Sequence, residues 1–233
     1  MNKLLIIAFF LINLQDINGE ILDLAPAKWI WYPSARTLQN TFILFRKVVK
    51  IDSGNVQAKG WIIADSRYQL FVNGKRVQWG PAPSDPRWQE ADSVDIGKFL
   101  LKGKNVISCQ VLFYGSGDGT SPLGIPGFLM KLEIEDSEII TDQTWKVYLA
   151  RAWKPGQYKR WYLRSLQETF DANIFPFGWD TPNFVEDNEW LSAMELKGPA
   201  DKASASNGNS NYQLDISGNI YSELHKRSIP IMK

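Results

Sequence analysis

The side chains best suited to nucleophilic and metal chemistry are nearly absent from this sequence. It contains one cysteine, Cys109, and one histidine, His225, which lies in a Leu-His-Lys-Arg run near the end. These counts exclude a disulfide framework and zinc sites rich in cysteine or histidine, and they disfavour Ser-His-Asp and Cys-His centres. We expect Cys109 to be a small buried hydrophobe and His225 to be solvated. Acid/base chemistry would rest on carboxylates, tyrosine or lysine.

The carboxylates do not have a spacing typical of a glycosidase, which needs two of them facing one scissile bond. Glu90 and Asp92 share the parity of one strand face, but Asp95 has the opposite parity and is better placed to cap a helical turn. A second acidic cluster, which begins at Glu133 and ends at Glu138, coincides with a predicted hairpin, where we expect solvated side chains. We therefore predict no catalytic residue and no metal ligand set in this chain.

The aromatic content is more informative, because the chain has ten tryptophans. Sugars bind to aromatic faces, while nearby polar groups fix their hydroxyls. A loop with three prolines runs from Trp79 to Trp88 and carries Asp85 and Arg87 between them. We predict a carbohydrate site formed by Trp79, Asp85, Arg87 and Trp88. The alternative is that these tryptophans pack the loop onto the protein, and the same two readings apply to the stretch from Trp153 to Tyr162.

The net charge of +1 disfavours a nucleic-acid partner, because phosphate binding normally needs a basic excess. The N-terminus has a positive residue, Lys3, followed by an apolar run at 4–12 and a small residue, Gly19. This pattern is typical of a secretory signal peptide, and the run is too short to span a membrane. We therefore predict a signal peptide at 1–19, one domain at 20–233, a secreted or periplasmic location, and no membrane attachment after cleavage.

Short strands separated by turn signals make up most of the remaining sequence. Segments 42–51, 61–64, 68–72, 105–114 and 130–134 are β-branched, aromatic or alternating, and Asn73-Gly74 is a strong hairpin signal. A short helical turn is expected at 96–101, long loops at 154–188, a returning strand at 190–196 and a polar loop at 203–211. No segment has a long helical period, so we predict an all-β jelly-roll sandwich with long loops.

Several segments, taken in order, carry a family resemblance. They are 27–31 (AKWIW), 64–74 (ADSRYQLFVNG), 80–81 (GP) with 85–87 (DPR), 95–96 (DI) with 100–101 (LL) and 103–107 (GKNVI), 127–129 (GFL), 141–146 (TDQTWK), Glu168 with Asp171, and 190–193 (WLSA). This series resembles the N-terminal β-sandwich of bacterial α-L-rhamnosidases, glycoside hydrolases of family 78 whose catalytic domain is a helical barrel. The resemblance implies a galactose-binding-like fold.

The resemblance also implies a role without catalysis, because the family's catalytic carboxylates lie in the later barrel. We expect a carbohydrate-binding accessory module whose partner is a plant or microbial glycan, with rhamnose-containing glycans as the implied class. Two alternatives remain open: a purely structural domain that docks a catalytic barrel, and an independent carboxylate glycosidase. Some family members bind rhamnose through calcium, and Asp65 and Asp118 are candidate oxygen ligands here, although their spacing forms no metal-binding motif. We expect no cofactor.

Overall fold

The structure is a computed structural model that describes residues 21–54, 56–84, 88–115, 117, 121, 124–135, 137–163, 165–196 and 224–229. The predicted signal peptide, Asp85, Arg87, Asp118 and the predicted polar loop at 203–211 lie outside these ranges. Within them, no helix has the length and apolar character needed to cross a bilayer.

The described residues form two β-sheets. Sheet I contains β1 (Ile30–Trp31), β3 (Ala58–Asp65), β6 (Gln89–Asp95), β8 (Gly127–Ile134), β9 (Ser137–Ile140), β12 (Met194–Glu195) and β13 (Leu224–Lys226). Sheet II contains β2 (Thr41–Ile51), β4 (Arg67–Val72), β5 (Lys75–Gly80), β7 (Gly103–Phe113), β10 (Lys146–Leu149) and β11 (Leu191–Ser192). Short 3₁₀ turns occur at Gly97–Phe99 and Ala172–Ile174. The predicted all-β sandwich is confirmed.

The strand order shows that neighbours in space are mostly distant in sequence. Sheet I has the order β12-β1-β8-β3-β6-β13, with β9 beside β8, and sheet II has the order β11-β10-β2-β7-β4-β5. All pairs are antiparallel except β13 with β6. The longest pairing joins β2 to β7, from Thr41 opposite Phe113 to Ile51 opposite Gly103.

The main core lies between the sheets and follows the alternation of the strands. Ile43 and Phe45 of β2 point inward and join the core, together with Cys109 of β7. Phe42 and Leu44 point to the opposite face, yet they are also buried. This half of β2 is therefore apolar on both faces, as expected where another part of the protein covers the outer face of sheet II.

The cover is the long segment between β10 and β11, which the sequence correctly predicts to be loops. Its Trp153, Trp179 and Trp190 pack on Phe42 and Leu44 as a second apolar cluster. Of the ten tryptophans, five are buried, two are half-buried and three are exposed, namely Trp79, Trp88 and Trp161. Packing therefore accounts for most of the tryptophan content.

Local turn chemistry follows the predictions closely. Asn73 and Gly74 have φ values of 51° and 79° and connect β4 to β5 as a hairpin. Gly103, with φ of 97°, starts β7 in a left-handed conformation that glycine adopts without steric cost. The predicted helical turn is shorter than expected, and the Asp95 carboxylate accepts a hydrogen bond from the Gly97 N–H at 3.1 Å.

Two expectations were wrong. The segment at 190–196 is not one strand: Leu191–Ser192 pairs with β10 in sheet II, whereas Met194–Glu195 pairs with β1 in sheet I. The chain crosses between the sheets at Ala193, whose N–H donates to the Trp145 carbonyl at 2.9 Å. His225 is not solvated either, because β13 adds it to the edge of sheet I, where it is 1% exposed.

Candidate functional site

Outward-facing side chains of sheet II form the floor of a groove. The strand register places Trp79 of β5, Gln69 of β4 and Gln110 of β7 in one row across the sheet. The adjacent row contains Arg67 of β4 and Leu112 of β7. The groove has a volume of about 660 Å³, which lies within the range of roughly 300–1,000 Å³ typical of small-molecule sites.

The loop segment that covers sheet II supplies one wall of this groove. Trp153 stacks on Phe42, with ring centroids 4.3 Å apart and an angle of 21° between the rings. Its indole N–H donates to Glu168 Oε2 at 2.6 Å. Trp153 and Glu168 both line the groove. Because stacking and a hydrogen bond both hold it, this wall is in place before any ligand binds.

The polar groups of the groove have unused hydrogen-bonding capacity. The half-buried Gln69 and Gln110 side chains form no hydrogen bond to any other described residue. Each carries an amide that can donate and accept. Arg67 donates through Nη1 to the Pro81 carbonyl, which orients its guanidinium, and Arg76 of β5 is exposed at the other end of the groove.

A buried polar network supports the groove from below. Tyr68, which also lines the groove, donates its hydroxyl proton to Asp92 Oδ2 of β6 at 2.6 Å, and so links the two sheets. Burial, and then the charge of Asp92, raise the pKa of Tyr68 well above its usual range, so the hydroxyl keeps its proton. A Cβ on Gly80 would lie 2.2 Å from Asp92 Oδ2, and only glycine fits there.

The structure places the sequence-predicted site residues in different surroundings. Trp79 lies in the groove and is 53% exposed. Trp88 stacks on His225, with centroids 3.5 Å apart and an angle of 7°, and is not among the residues that line the groove. Asp85 and Arg87 lie outside the described residues. The predicted four-residue site therefore stays a prediction, and of its two described members Trp79 lines the groove.

Sequence reasoning missed the glutamines and arginines of the groove. Gln69 and Gln110 are polar residues on the outward parity of strands at the centre of a sheet, next to apolar inward neighbours. That alternation was visible, but the pairing that brings β4 and β7 together joins residues about forty positions apart. Trp153 and Glu168 were noticed separately, and only the folded loop brings them to the groove.

A second, smaller pocket contains the buried carboxyl group of Asp65. This group accepts hydrogen bonds from Ser66 Oγ at 2.7 Å and from the Ile125 N–H at 3.0 Å. Burial raises its pKa from 3.8 to about 6, although both hydrogen bonds oppose the shift. The described residues contain no group of three or more His, Cys, Asp or Glu side chains arranged to hold a metal ion.

Comparison with protein-family models gives a match to the α-L-rhamnosidase N-terminal domain over residues 55–213. The match covers more than half of the chain, including β4, β5 and β7, which form the floor of the groove. This chain belongs to the α-L-rhamnosidase N-terminal domain family. The resemblance carried by the sequence segments is thereby confirmed. No curated protein matches the sequence significantly.

Solved structures give the same picture for this rhamnosidase-type domain. A family 78 rhamnosidase of Bacillus sp. GL1 is 27% identical, with a TM-score of 0.66 over 91% of this chain and 20% of that enzyme. The Streptomyces avermitilis α-L-rhamnosidase complexed with L-rhamnose is 19% identical, with a TM-score of 0.53 over 79% of this chain and 15% of the enzyme. The domain therefore spans a fifth or less of these two enzymes.

A lectin shares the fold as well. The Pleurotus ostreatus lectin, solved in complex with GalNAc, is 22% identical, with a TM-score of 0.52 over 80% of this chain and 48% of the lectin. At this identity the likeness concerns the fold alone. It agrees with the galactose-binding-like sandwich expected from the sequence.

Proposed function

We propose that this N-terminal accessory domain is a non-catalytic carbohydrate-binding module whose ligand is a rhamnose-containing glycan held in the groove on sheet II. The observation that carries the proposal is the combination of an exposed tryptophan with unpartnered amides in one groove. Trp79 supplies an apolar face, while Gln69 and Gln110 supply amides in the same row. The groove thus has both elements of a sugar site.

The groove is held in place by the protein's own contacts, which favours specific sugar binding over nonspecific adsorption. The floor consists of paired strands, and Trp153 is held by Phe42 and Glu168. Binding then costs little ordering of the protein, so more of the contact energy is retained as affinity.

Two similar proteins supply the ligand class. The Streptomyces avermitilis enzyme was solved with L-rhamnose and the Pleurotus ostreatus lectin with GalNAc. Rhamnose is the sugar bound in the first of these structures, and it is also the sugar after which the family is named. A 6-deoxy sugar also has more apolar surface than its hydroxylated counterparts, which suits a site that stacks the ring on Trp79.

The carboxylates argue against glycoside hydrolysis by this chain. Glu168 is the one carboxylate among the described residues that line the groove, and it is hydrogen-bonded to Trp153. Hydrolysis with acid and base, or acid and nucleophile, requires a pair about 5–9.5 Å apart. Asp92, on the inner side, is occupied by Tyr68 and Arg227.

The location of the protein is part of the proposal. A signal peptide at 1–19 would place the domain outside the cytoplasm, where polymeric glycans are encountered. Sequencing the N-terminus of the exported protein tests this: the mature chain should begin at residue 20, and an unprocessed chain retained in the cytoplasm would contradict it.

Isothermal titration calorimetry with L-rhamnose and rhamnose-containing oligosaccharides tests the binding function. Trp79→Ala is expected to lower the affinity about tenfold or more, because the stacking face is lost. Trp161→Ala is the matched control, since Trp161 is 67% exposed and does not line the groove. Absence of binding across these sugars, or equal loss in both variants, would refute the proposal.

A second candidate function is that of a docking domain for a catalytic barrel. The observation that favours it is a set of exposed apolar side chains on the long loops: Tyr158, Trp161, Phe177 and Val185 are 72%, 67%, 66% and 84% exposed. Apolar surface of this kind marks interaction sites. Analytical ultracentrifugation and the calorimetric titrations together separate the two functions. A docking domain should self-associate when isolated, which sedimentation detects, and should show no sugar affinity in the titrations.

A further inference from the structure

We propose that the sugar in this groove is acidic, and that Arg76 binds the carboxylate of a uronic acid residue within the glycan. This inference rests on the proposed carbohydrate-binding function and specifies its ligand. It starts from the two arginines of the groove: the Arg67 guanidinium donates to the Pro81 carbonyl, whereas the Arg76 guanidinium forms no hydrogen bond or ion pair with a described residue.

One end of the groove contains Arg67. Its row continues through Leu112 to Phe42, and Phe42 carries the stacked Trp153 with Glu168 hydrogen-bonded to the indole. Glu168 thus sits above the same end of the groove as Arg67. The Arg67 guanidinium is also engaged with the Pro81 carbonyl.

Arg76 lies toward the opposite end of the groove, on β5. The register pairs it with Phe71, two residues beyond Gln69 on β4, so the row of Trp79 and Gln69 separates Arg76 from Arg67. Among the described residues, no carboxylate forms an ion pair with Arg76, and its side chain is exposed. Arg76 is therefore a cation without an ion-pair partner among the described residues, in the same groove as the exposed Trp79.

The chemistry of Arg76 favours a carboxylate as its ligand. A guanidinium presents parallel N–H donors that match the two oxygens of a carboxylate, and such paired hydrogen bonds are stronger than neutral ones. In a uronic acid the carboxylate projects from the edge of the pyranose ring. A ring stacked on Trp79 directs that edge along the floor, toward Arg76 at one end. Gln69 then meets ring hydroxyls.

The test compares one disaccharide of a uronic acid and rhamnose with the same disaccharide after its carboxyl group is reduced to an alcohol. We expect the acidic form to bind about tenfold more tightly at low salt, with the difference shrinking as ionic strength rises. Arg76→Gln should abolish the difference, because the acidic form then loses its guanidinium partner. Because Arg76 is exposed, the variant should retain the melting temperature of the parent.

Lys50→Gln is the matched control, since it removes one positive charge from β2, three strands away from Arg76 in sheet II. It should keep the full preference for the acidic form. Equal affinity for the two disaccharides, or a preference that survives Arg76→Gln, would overturn the inference and leave the proposed function intact. A 6-sulfated neutral sugar that binds as tightly would overturn the carboxylate assignment. Failure of both disaccharides to bind would instead refute the proposed function.

Discussion

Replacing Arg227 with methionine should destabilise the domain strongly, because the arginine neutralises a buried carboxylate. Arg227 Nε donates to Asp92 Oδ1, and the two side chains are 9% and 2% exposed. Tyr68 donates to the other oxygen of Asp92. Methionine matches the apolar stem of the arginine side chain but lacks the guanidinium group, so the charge and all of its donors are removed.

The expected magnitude follows from the desolvated charge that remains. Removing one partner of a buried ion pair costs about 3–5 kcal/mol of unfolding free energy, because the other charge stays buried without compensation. Asp92 keeps the hydrogen bond from Tyr68, so we expect the lower end, about 3 kcal/mol. With a urea m-value near 2 kcal/mol/M, the unfolding midpoint should fall by about 1.5 M.

Equilibrium urea unfolding, followed by tryptophan fluorescence, measures this shift. Glu90→Gln is the control: Glu90 also faces Arg227, but at 3.6 Å and with 25% exposure, so its removal should cost less than about 1 kcal/mol. Adding Asp92→Asn to Arg227→Met should recover part of the loss, since the uncompensated charge is then gone. If Arg227→Met and Glu90→Gln cost the same, or the double variant recovers nothing, the reasoning is refuted.

Three further perturbations test the structure. Gly60→Ala should prevent stable folding, because the new Cβ would lie 1.9 Å from the Lys131 carbonyl oxygen of the paired strand. Gly54→Ala is the control: its Cβ would have no atom within 4 Å, so this variant should unfold at nearly the same urea concentration as the parent. Asp65 has a folded pKa of about 6 against 3.8, so its folded form holds a proton that the unfolded chain releases. It should therefore lower stability as pH rises from about 4 to 6, and Asp65→Asn should remove that slope from unfolding curves; an unchanged slope would contradict the assignment. Burial raises the pKa of the Cys109 thiol, so a thiol reagent should label it only in denaturant, and rapid labelling of the native protein would show that the strand opens.

Most elements of secondary structure could be predicted because their signals are local. The alternation around Cys109 and the turn at Asn73-Gly74 each depend on a few neighbouring residues, and both were confirmed. The prediction of a single strand at 190–196 was wrong because the deciding contacts are not local. Its residues are all compatible with extended backbone, and nothing local reveals that the chain changes sheets at Ala193.

His225 illustrates the same limit for burial. The two basic residues that follow it, Lys226 and Arg227, suggest solvent. However, β13 runs parallel to β6 and places the imidazole against Trp88. The partner strand lies more than 130 positions earlier in the chain. Burial at a sheet edge depends on such a remote pairing, so the charged neighbours misled the sequence-based expectation.

The sequence alone determined the all-β class, the family and the scarcity of nucleophilic side chains, because composition, turn chemistry and motif order are properties of the chain itself. It also led to the prediction of a carbohydrate site built on aromatic residues, which stays a prediction. Only the tertiary structure decided which ones share a groove, since Trp79, Gln110 and Trp153 come from separate segments. Strand register across sheet II and the loop folded over it create that proximity, and both arise from contacts between residues far apart in the sequence.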